Sequence, residues 1–288
     1  MRRILLVLMV VMTVAVMAAC TKKQEPAVAK ESRVSATKAY EKYFGSAPTT
    51  DKGNCYAFVI YFPSAREPGK VVPFPFFTFD EGSIRKVAVE RLLGGMDIGS
   101  YQGELTPMPA GSRLLSISDE KGTVTVNFSK ELLAAGDKTT ETATAGALAL
   151  TLRQFKGVEH VRIQVDGKDS ALNALANAVG DSAVQLPSPP RLLSVTAMRD
   201  KGAKGIEEVN AFFDRPVEVR ELKLLSKDGE PFAGDLYHSV FDMAGVLKPK
   251  DPSQFKEKMP IKVRWKVIDK LGRLAEGDNV WLLEVKEH

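Results

Sequence analysis

The stretch from Pro109 to Leu133, PAGSRLLSISDEKGTVTVNFSKELL, constrains the fold of this chain more than any other. Leu114, Ser116 and Ser118 alternate with Leu115 and Ile117. Beyond the charged turn Asp119-Glu120-Lys121-Gly122, the residues Val124, Val126 and Phe128 alternate with Thr123, Thr125 and Asn127. A period of two sends successive side chains to opposite faces of a strand, and a short turn between two such runs makes them antiparallel neighbours. The spacing predicts a hairpin with one buried face, followed by a helix start before Leu133.

Further strands and helices flank this hairpin. CYAFVIYF, from Cys55 to Phe62, and VVPFPFFTF, from Val71 to Phe79, are β-branched and aromatic and read as strands. Pro73 and Pro75 confine the second to a sheet edge or a bulge. Phe74, Phe76, Phe77 and Phe79 cluster there, as core or packed edge, with an exposed partner surface as the alternative. Ser83 reads as the N-cap of a helix in which Ile84, Val87, Ala88 and Leu92 share a face and Gly94-Gly95 stop the run, with Arg85 and Lys86 on the solvent side. Thr139 to Thr144 introduce a second helix whose apolar stripe is Ala145, Leu148, Ala149, Leu152 and Phe155, ended by Gly157. VRIQVDGK follows as a strand, and Leu172, Leu175, Ala176 and Val179 as a short closing helix.

This order is an apolar helix ending in LLGG, PAGSRLLSI, a short acidic turn, GTVTVNFSKEL, a helix ending in TLRQF, Gly157-Val158 and VRIQVDGK. Over about residues 55–170 it resembles the GerM domain of bacterial sporulation and germination lipoproteins. Gly95 is followed by Met96 where that family's loop often has Gly-Pro. The resemblance implies a compact α+β domain with helices on one face of a small sheet, similar to the ring-building motifs of secretion and sporulation assemblies. It implies no enzyme activity.

Pro187, Pro189 and Pro190 mark a linker at residues 186–191, after which the text changes to short strands. LLSVTAM, IEEVNAFF, VEVRELKLLS, DLYHSVF, IKVRWKVID and VWLLEV are punctuated by turn signals at Asp228-Gly229, Leu271-Gly272 and Gly277-Asp278, the pattern of a β-sandwich. In IKVRWKVID the residues Ile261, Val263, Trp265 and Val267 face inward and Lys262, Arg264 and Lys266 outward, so Trp265 reads as core. The region looks like the immunoglobulin-like domains that accompany GerM domains in spore germination proteins.

At the N-terminus, Arg2 and Arg3 precede an apolar run from Ile4 to Val16, too short to span a bilayer and typical of an export signal. Met17-Ala18-Ala19-Cys20 resembles the lipobox of bacterial lipoproteins, with Met17 where Leu is usual. That resemblance implies lipidation of Cys20 and a new N-terminus there. The polar residues after it read as a flexible tether reaching on the order of 30 Å. Cys20 and Cys55 are the two cysteines, so lipidation leaves Cys55 without a partner, as a small buried hydrophobe.

The net charge of +4 is spread along the chain, which gives no footprint for nucleic acid. His160, His238 and His288 are the three histidines, and none stands at ligand spacing from another. No nucleophile elbow, phosphate loop or dinucleotide fingerprint is present. The adjacent acids Asp80-Glu81, Asp119-Glu120 and Glu207-Glu208 fit helix starts and turns rather than the two sides of a cleft.

The expected layout is therefore a signal peptide at 1–19, a tether at 20–54, a GerM-like α+β domain at 55–185, a linker at 186–191 and an immunoglobulin-like sandwich at 192–288. The expected function is a non-enzymatic scaffold or protein interaction module, without cofactor or metal, exported and anchored in the bacterial membrane through Cys20. It would assemble with itself or with envelope proteins. The alternative is a peptidoglycan or glycan binding module using Tyr237, Trp281 or the basic row Lys262, Arg264 and Lys266.

Overall fold

The structure, a computed structural model, describes residues 33–50, 53–96, 101, 103–134 and 136–288. The hairpin consists of β4 (Leu114–Glu120) and β5 (Thr123–Phe128). Its turn is tighter than the spacing suggests: Asp119 and Glu120 belong to the strand, and only Lys121 and Gly122 turn, with φ of 49° and 81°. Two consecutive left-handed residues twist in the same sense as the strands they join. Strict alternation fails once. The register slips between Leu114 and Ser116, so Leu114 and Ile117 pack toward the core while Leu115 is 49% exposed. Val124, Val126 and Phe128 are fully buried, as the alternation requires. The residues after the hairpin, Lys130–Leu133, form a single 3-10 turn.

β6 (His160–Val165) lies parallel to β5, which requires a crossover. Helix α3 (Lys138–Arg153) supplies it, started by Asp137, whose carboxylate accepts the Thr140 N–H at 2.7 Å. β7 (Lys168–Asp169) closes this sheet, in the order β4-β5-β6-β7.

A second sheet has the order β1-β2-β3, with β1 at Arg33–Ala36, β2 at Asn54–Pro63 and β3 at Val71–Thr78. The expectation of one small sheet is thus replaced by two, and side chains of α3 explain why. In the antiparallel β2-β3 ladder alternate residues turn their backbone groups outward. Val59 and Tyr61, opposite Pro75 and Pro73, are such residues. The Gln154 amide accepts the Val59 N–H at 2.8 Å and donates to the Val59 carbonyl, while Thr151 Oγ1 accepts the Tyr61 N–H at 3.1 Å. β1 covers this side of β2 only from Asn54 to Ala57; beyond it the side is closed by the end of a helix instead of a strand, and the two prolines sit where they remove no ladder bond to β2.

The expected tether at 20–54 is corrected over its second half. β1 pairs in parallel with β2, and helix α1 (Lys38–Phe44) follows, capped by Thr37 Oγ1, which accepts the Tyr40 N–H at 3.1 Å. Tyr40, Tyr43 and Phe44, at i, i+3 and i+4, are buried in the core, and their burial outweighs the polar composition around them. Helix α2 (Ile84–Gly94) buries Ala88, Val89 and Leu92, and α4 (Leu172–Ala178) packs on α3. The α3 surface is buried nearly all round, Ala143 to Ala149 included, rather than along one stripe, because small residues let elements approach on several sides. Among the described residues no helix is long and apolar enough to cross a membrane.

The second lobe holds eight strands. β8 (Leu192–Arg199), β9 (Glu208–Phe213), β11 (Gly234–His238), β12 (Ala244–Pro249) and β15 (Glu284–Glu287) form one sheet, in the order β11-β12-β9-β8-β15. β10 (Val217–Leu225), β13 (Pro260–Asp269) and β14 (Leu274–Leu282) form the other. Their inner faces share one apolar core that includes Val195, Phe213, Leu224, Leu247, Val263 and Trp265.

Two expectations change here. β12 carries no clear alternation and was not foreseen, and Gly277-Asp278 is not a turn but the middle of β14. Gly277 faces Trp265, and a Cβ there would lie 2.6 Å from the indole nitrogen, so glycine makes room for the ring. The described residues of both lobes belong to one compact unit.

Candidate functional site

The segment expected as a linker lies beside a cluster of charges that ties the lobes together. Asp214 and Arg215 follow β9, and Arg215 forks onto Asp214 through Nε and Nη2 at 3.0 and 2.9 Å. Arg215 Nη1 is 3.8 Å from Asp269 Oδ2, and its guanidinium lies over the ring of Phe44 from the first lobe. The Arg215 side chain is 4% exposed, and those of Asp214 and Asp269 are also buried. Asp269 accepts from Arg273 Nε at 2.6 Å and from the N–H groups of Leu271 and Arg273. Arg273 in turn donates to the carbonyls of Tyr43 and Pro187 at 2.9 and 3.4 Å.

Arg191 completes the cluster. It donates to Glu104 of the first lobe, lies 3.5 Å from Asp214 and stacks over Tyr101. Burial alone pulls its pKa down, but Glu104 and Asp214 outweigh that and raise it. Three arginines and three carboxylates thus gather at the junction, and the pair Arg191–Glu104 reaches into the first lobe.

Two further contacts fix the same boundary. Gly45, with φ of 78°, meets Lys270 so closely that a Cβ would sit 2.8 Å from the lysine Cβ. Phe241 and Asp242 both take left-handed backbone, φ 64° and 55°, which is uncommon for such residues. That conformation lays the Phe241 ring flat on Phe77, 4.4 Å between centroids, and sets Asp242 3.3 Å from Lys270.

On the first lobe a trough of about 1080 Å³ opens between β1, the start of α2, β4 and the end of α3. Lys38, Arg85, Lys86, Arg153 and Lys156 line it against Glu81 and Asp119. Arg85 is not idle surface charge: it pairs with Asp119 at 2.7 Å and donates to the Lys156 carbonyl at 3.1 Å, joining α2 to β4 and to the end of α3. Ser83 starts α2 without capping it. Its hydroxyl and N–H both donate to Asp80, which holds that carboxylate below its ordinary value. The mouth of the helix therefore opens on a mostly basic trough, a setting for polar or anionic groups.

The residues singled out in the sequence fall as follows. Cys20 lies outside the described residues. Cys55 is fully buried, and burial raises its thiol pKa. Phe74 packs edge-on to Tyr101, Phe76 lies against Phe58, and only Phe79, 58% exposed, stands free of the core. The outward row of β13 is neutralised by its neighbour strand: Lys262 and Arg264 reach Asp278 at 3.3 and 3.1 Å, and Lys266 reaches Glu276 at 3.4 Å. Tyr237 stands on β11, in the other sheet, and Trp281 turns its indole N–H into the core side. Tyr237 and the basic row thus lie on different sheets of the lobe. Trp265 is core, edge-on to Phe213 at 5.4 Å. His160 and His238 are exposed, and His288 comes beside Asp200 and Glu207.

The junction cluster was missed, although one signal for it stands in the text. Continuing the inward series Ile261, Val263, Trp265, Val267 by two residues gives Asp269, an acid on a core-facing position.

Comparison with known proteins gives a partial match. Residues 59–171 match the family described as Germane: Sporulation and spore germination. Among solved structures, the first GerMN domain of the sporulation protein GerM from Bacillus subtilis aligns at 23% identity over 39% of this chain and 84% of that one, with a TM-score of 0.34. A putative lipoprotein from Clostridium perfringens aligns at 22% identity over 39% and 75%, TM-score 0.28. CopC from Methylosinus trichosporium OB3b aligns at 14% identity over 33% and 89%, TM-score 0.23. No curated protein sequence matches.

Proposed function

The chain is a GerM-domain protein, its residues 59–171 belonging to the Germane family of sporulation and spore germination, and on that premise we propose that it is a non-enzymatic assembly module of the cell envelope. The family match is the observation that carries this reading. The protein would be exported, lipidated at Cys20 and held on the extracytoplasmic side of the membrane, with its second lobe an immunoglobulin-like sandwich and its partners envelope proteins or further copies of itself.

The two lobes, joined through a buried ionic cluster, would present their outer strands as one rigid block. β4 and β14 each lie at the end of their sheet, and such edges suit strand pairing with a neighbour. Anchoring would confine the block to two dimensions and raise its effective concentration there. A lipidated cysteine with more than one acyl chain retains a protein firmly.

Crosslinking and affinity capture of the anchored protein from its own envelope tests the proposal. Recovery of stoichiometric envelope proteins or of cross-linked copies is the expected result, and a protein that stays monomeric and unaccompanied would overturn it. Cys20→Ser is expected to release the protein from the membrane fraction; a variant that still sediments with membranes as the parent does would rule out the anchor.

A further inference from the structure

Three strand ends of the second lobe bring one histidine and two carboxylates to a single corner. β8 runs into Asp200, Glu207 immediately precedes β9, and His288 follows β15. Backbone bonds hold the frame: the Glu207 N–H donates to the Met198 carbonyl at 2.9 Å and the His288 N–H to the Arg199 carbonyl at 3.2 Å. On it, His288 Nε2 lies 3.2 Å from Asp200 Oδ1 and 3.3 Å from Glu207 Oε2, and the three ligand atoms all fall within 4.8 Å of one another.

Charge and spacing both point to a cation. Among the described residues neither carboxylate is paired with Lys or Arg, and the neighbouring Arg199 is taken by Glu287 at 2.7 Å. Two acids that converge without such a partner repel one another. Bonds of roughly 2.0–2.1 Å in a tetrahedral site place ligand atoms about 3.3–3.4 Å apart. The two histidine-to-acid distances are close to that spacing, and the third edge, no longer than 4.8 Å, would close by rotation of exposed side chains.

We propose that Asp200, Glu207 and His288 form a three-ligand site for a divalent first-row transition cation of the zinc type, with solvent in the open position. An imidazole nitrogen with two carboxylate oxygens suits zinc, whereas magnesium and calcium favour an all-oxygen set. The bound ion would clip β15, which lies at the edge of its sheet, to β8 and β9.

Calorimetric titration of the full chain with zinc chloride near neutral pH, with magnesium chloride in parallel, tests this. The expected result is one saturable zinc site, reversed by a chelator, with no magnesium binding. His288→Ala and Glu207→Gln each weaken it by at least about tenfold, whereas His160→Ala and His238→Ala leave it unchanged. Zinc also raises the melting midpoint of the parent but not of His288→Ala. All these side chains are exposed, so the variants keep the fold. Absence of saturable zinc binding, or binding that His288→Ala leaves intact, overturns the site: the imidazole is then only an ion-pair partner for the acids, or zinc sits elsewhere.

Discussion

The junction cluster and the charged face of β13 and β14 use the same chemistry, basic side chains set against acidic ones, in opposite surroundings. At the junction Arg215 is 4% exposed and every polar contact links backbone or charge around the lobe boundary. On the β13 face Lys266 is 44% exposed and Glu276 67%. Coulomb attraction at a given distance is several times larger near a protein interior than in water, but so is the penalty for leaving one partner alone. Burial therefore decides which set holds the molecule together. A ladder of opposite charges on a solvated face keeps a strand pair soluble and in register, whereas a buried cluster makes two lobes into one body.

The sharpest way to break this comparison is Arg215→Met. Asp214 and Asp269 would stay buried without their shared cation, and the expected loss is about 3–5 kcal/mol. Two probes separate the lobes. The described α-helices all belong to the first lobe, and Trp265 and Trp281 both belong to the second. Helical circular dichroism and tryptophan fluorescence are therefore expected to report coincident unfolding in the parent and displaced transitions in Arg215→Met. Displaced transitions in the parent itself would mean that residues 186–191 act as the loose linker their prolines suggest.

Arg191 supplies the intermediate case, with a side chain 27% exposed. Arg191→Gln removes the bond to Glu104 but leaves that carboxylate close to Arg66, 3.2 Å away, so water and a second cation soften the loss. The expected cost is about 1–2 kcal/mol, read from chemical denaturation. A cost equal to that of Arg215→Met would show that position in the cluster, not burial, sets the energy.

What the sequence made legible follows the same division. β5, α4 and the inward face of β13 obey a simple period, so Val124 and Val263 can be assigned to a core from the sequence, whereas β4 slips by one residue and α3 is buried well beyond its apolar stripe. The GerM resemblance over about residues 55–170 coincides closely with the matched segment 59–171. The start of the ordered lobe was hidden because β1 is four residues long and takes its stability from β2, whose paired residues lie 21 positions further along the chain. Gln154 and Thr151 looked like ordinary polar residues at the end of a helix, since nothing local shows which strand edge they close. Arg215 and Arg273 pair with nearby acids, but what they do at the junction depends on distant residues, Phe44 for the one and Tyr43 and Pro187 for the other. The Cys20 anchor rests on the sequence alone.

The smallest expected effect tests the other half of the comparison. Lys266→Gln breaks one rung of the ladder, and solvent and salt already screen that rung. The melting midpoint is expected to move by less than about 3 °C, and added salt to abolish even that difference. The neighbouring Asp278 gives the ladder a pH signature. Partial burial pushes its carboxyl up, but Arg264 and Lys262 outweigh this and hold it below the ordinary value. A carboxylate so lowered adds stability that is fully present above roughly pH 4 and fades as the pH falls through its folded value. Arg264→Gln is therefore expected to flatten the acid limb of the stability profile slightly while leaving neutral pH nearly unchanged. If Lys266→Gln instead lowers the midpoint as much as Arg191→Gln does, solvent exposure is not what distinguishes the two sets of charges, and the β13 face must be counted with the junction as part of what holds the lobe together.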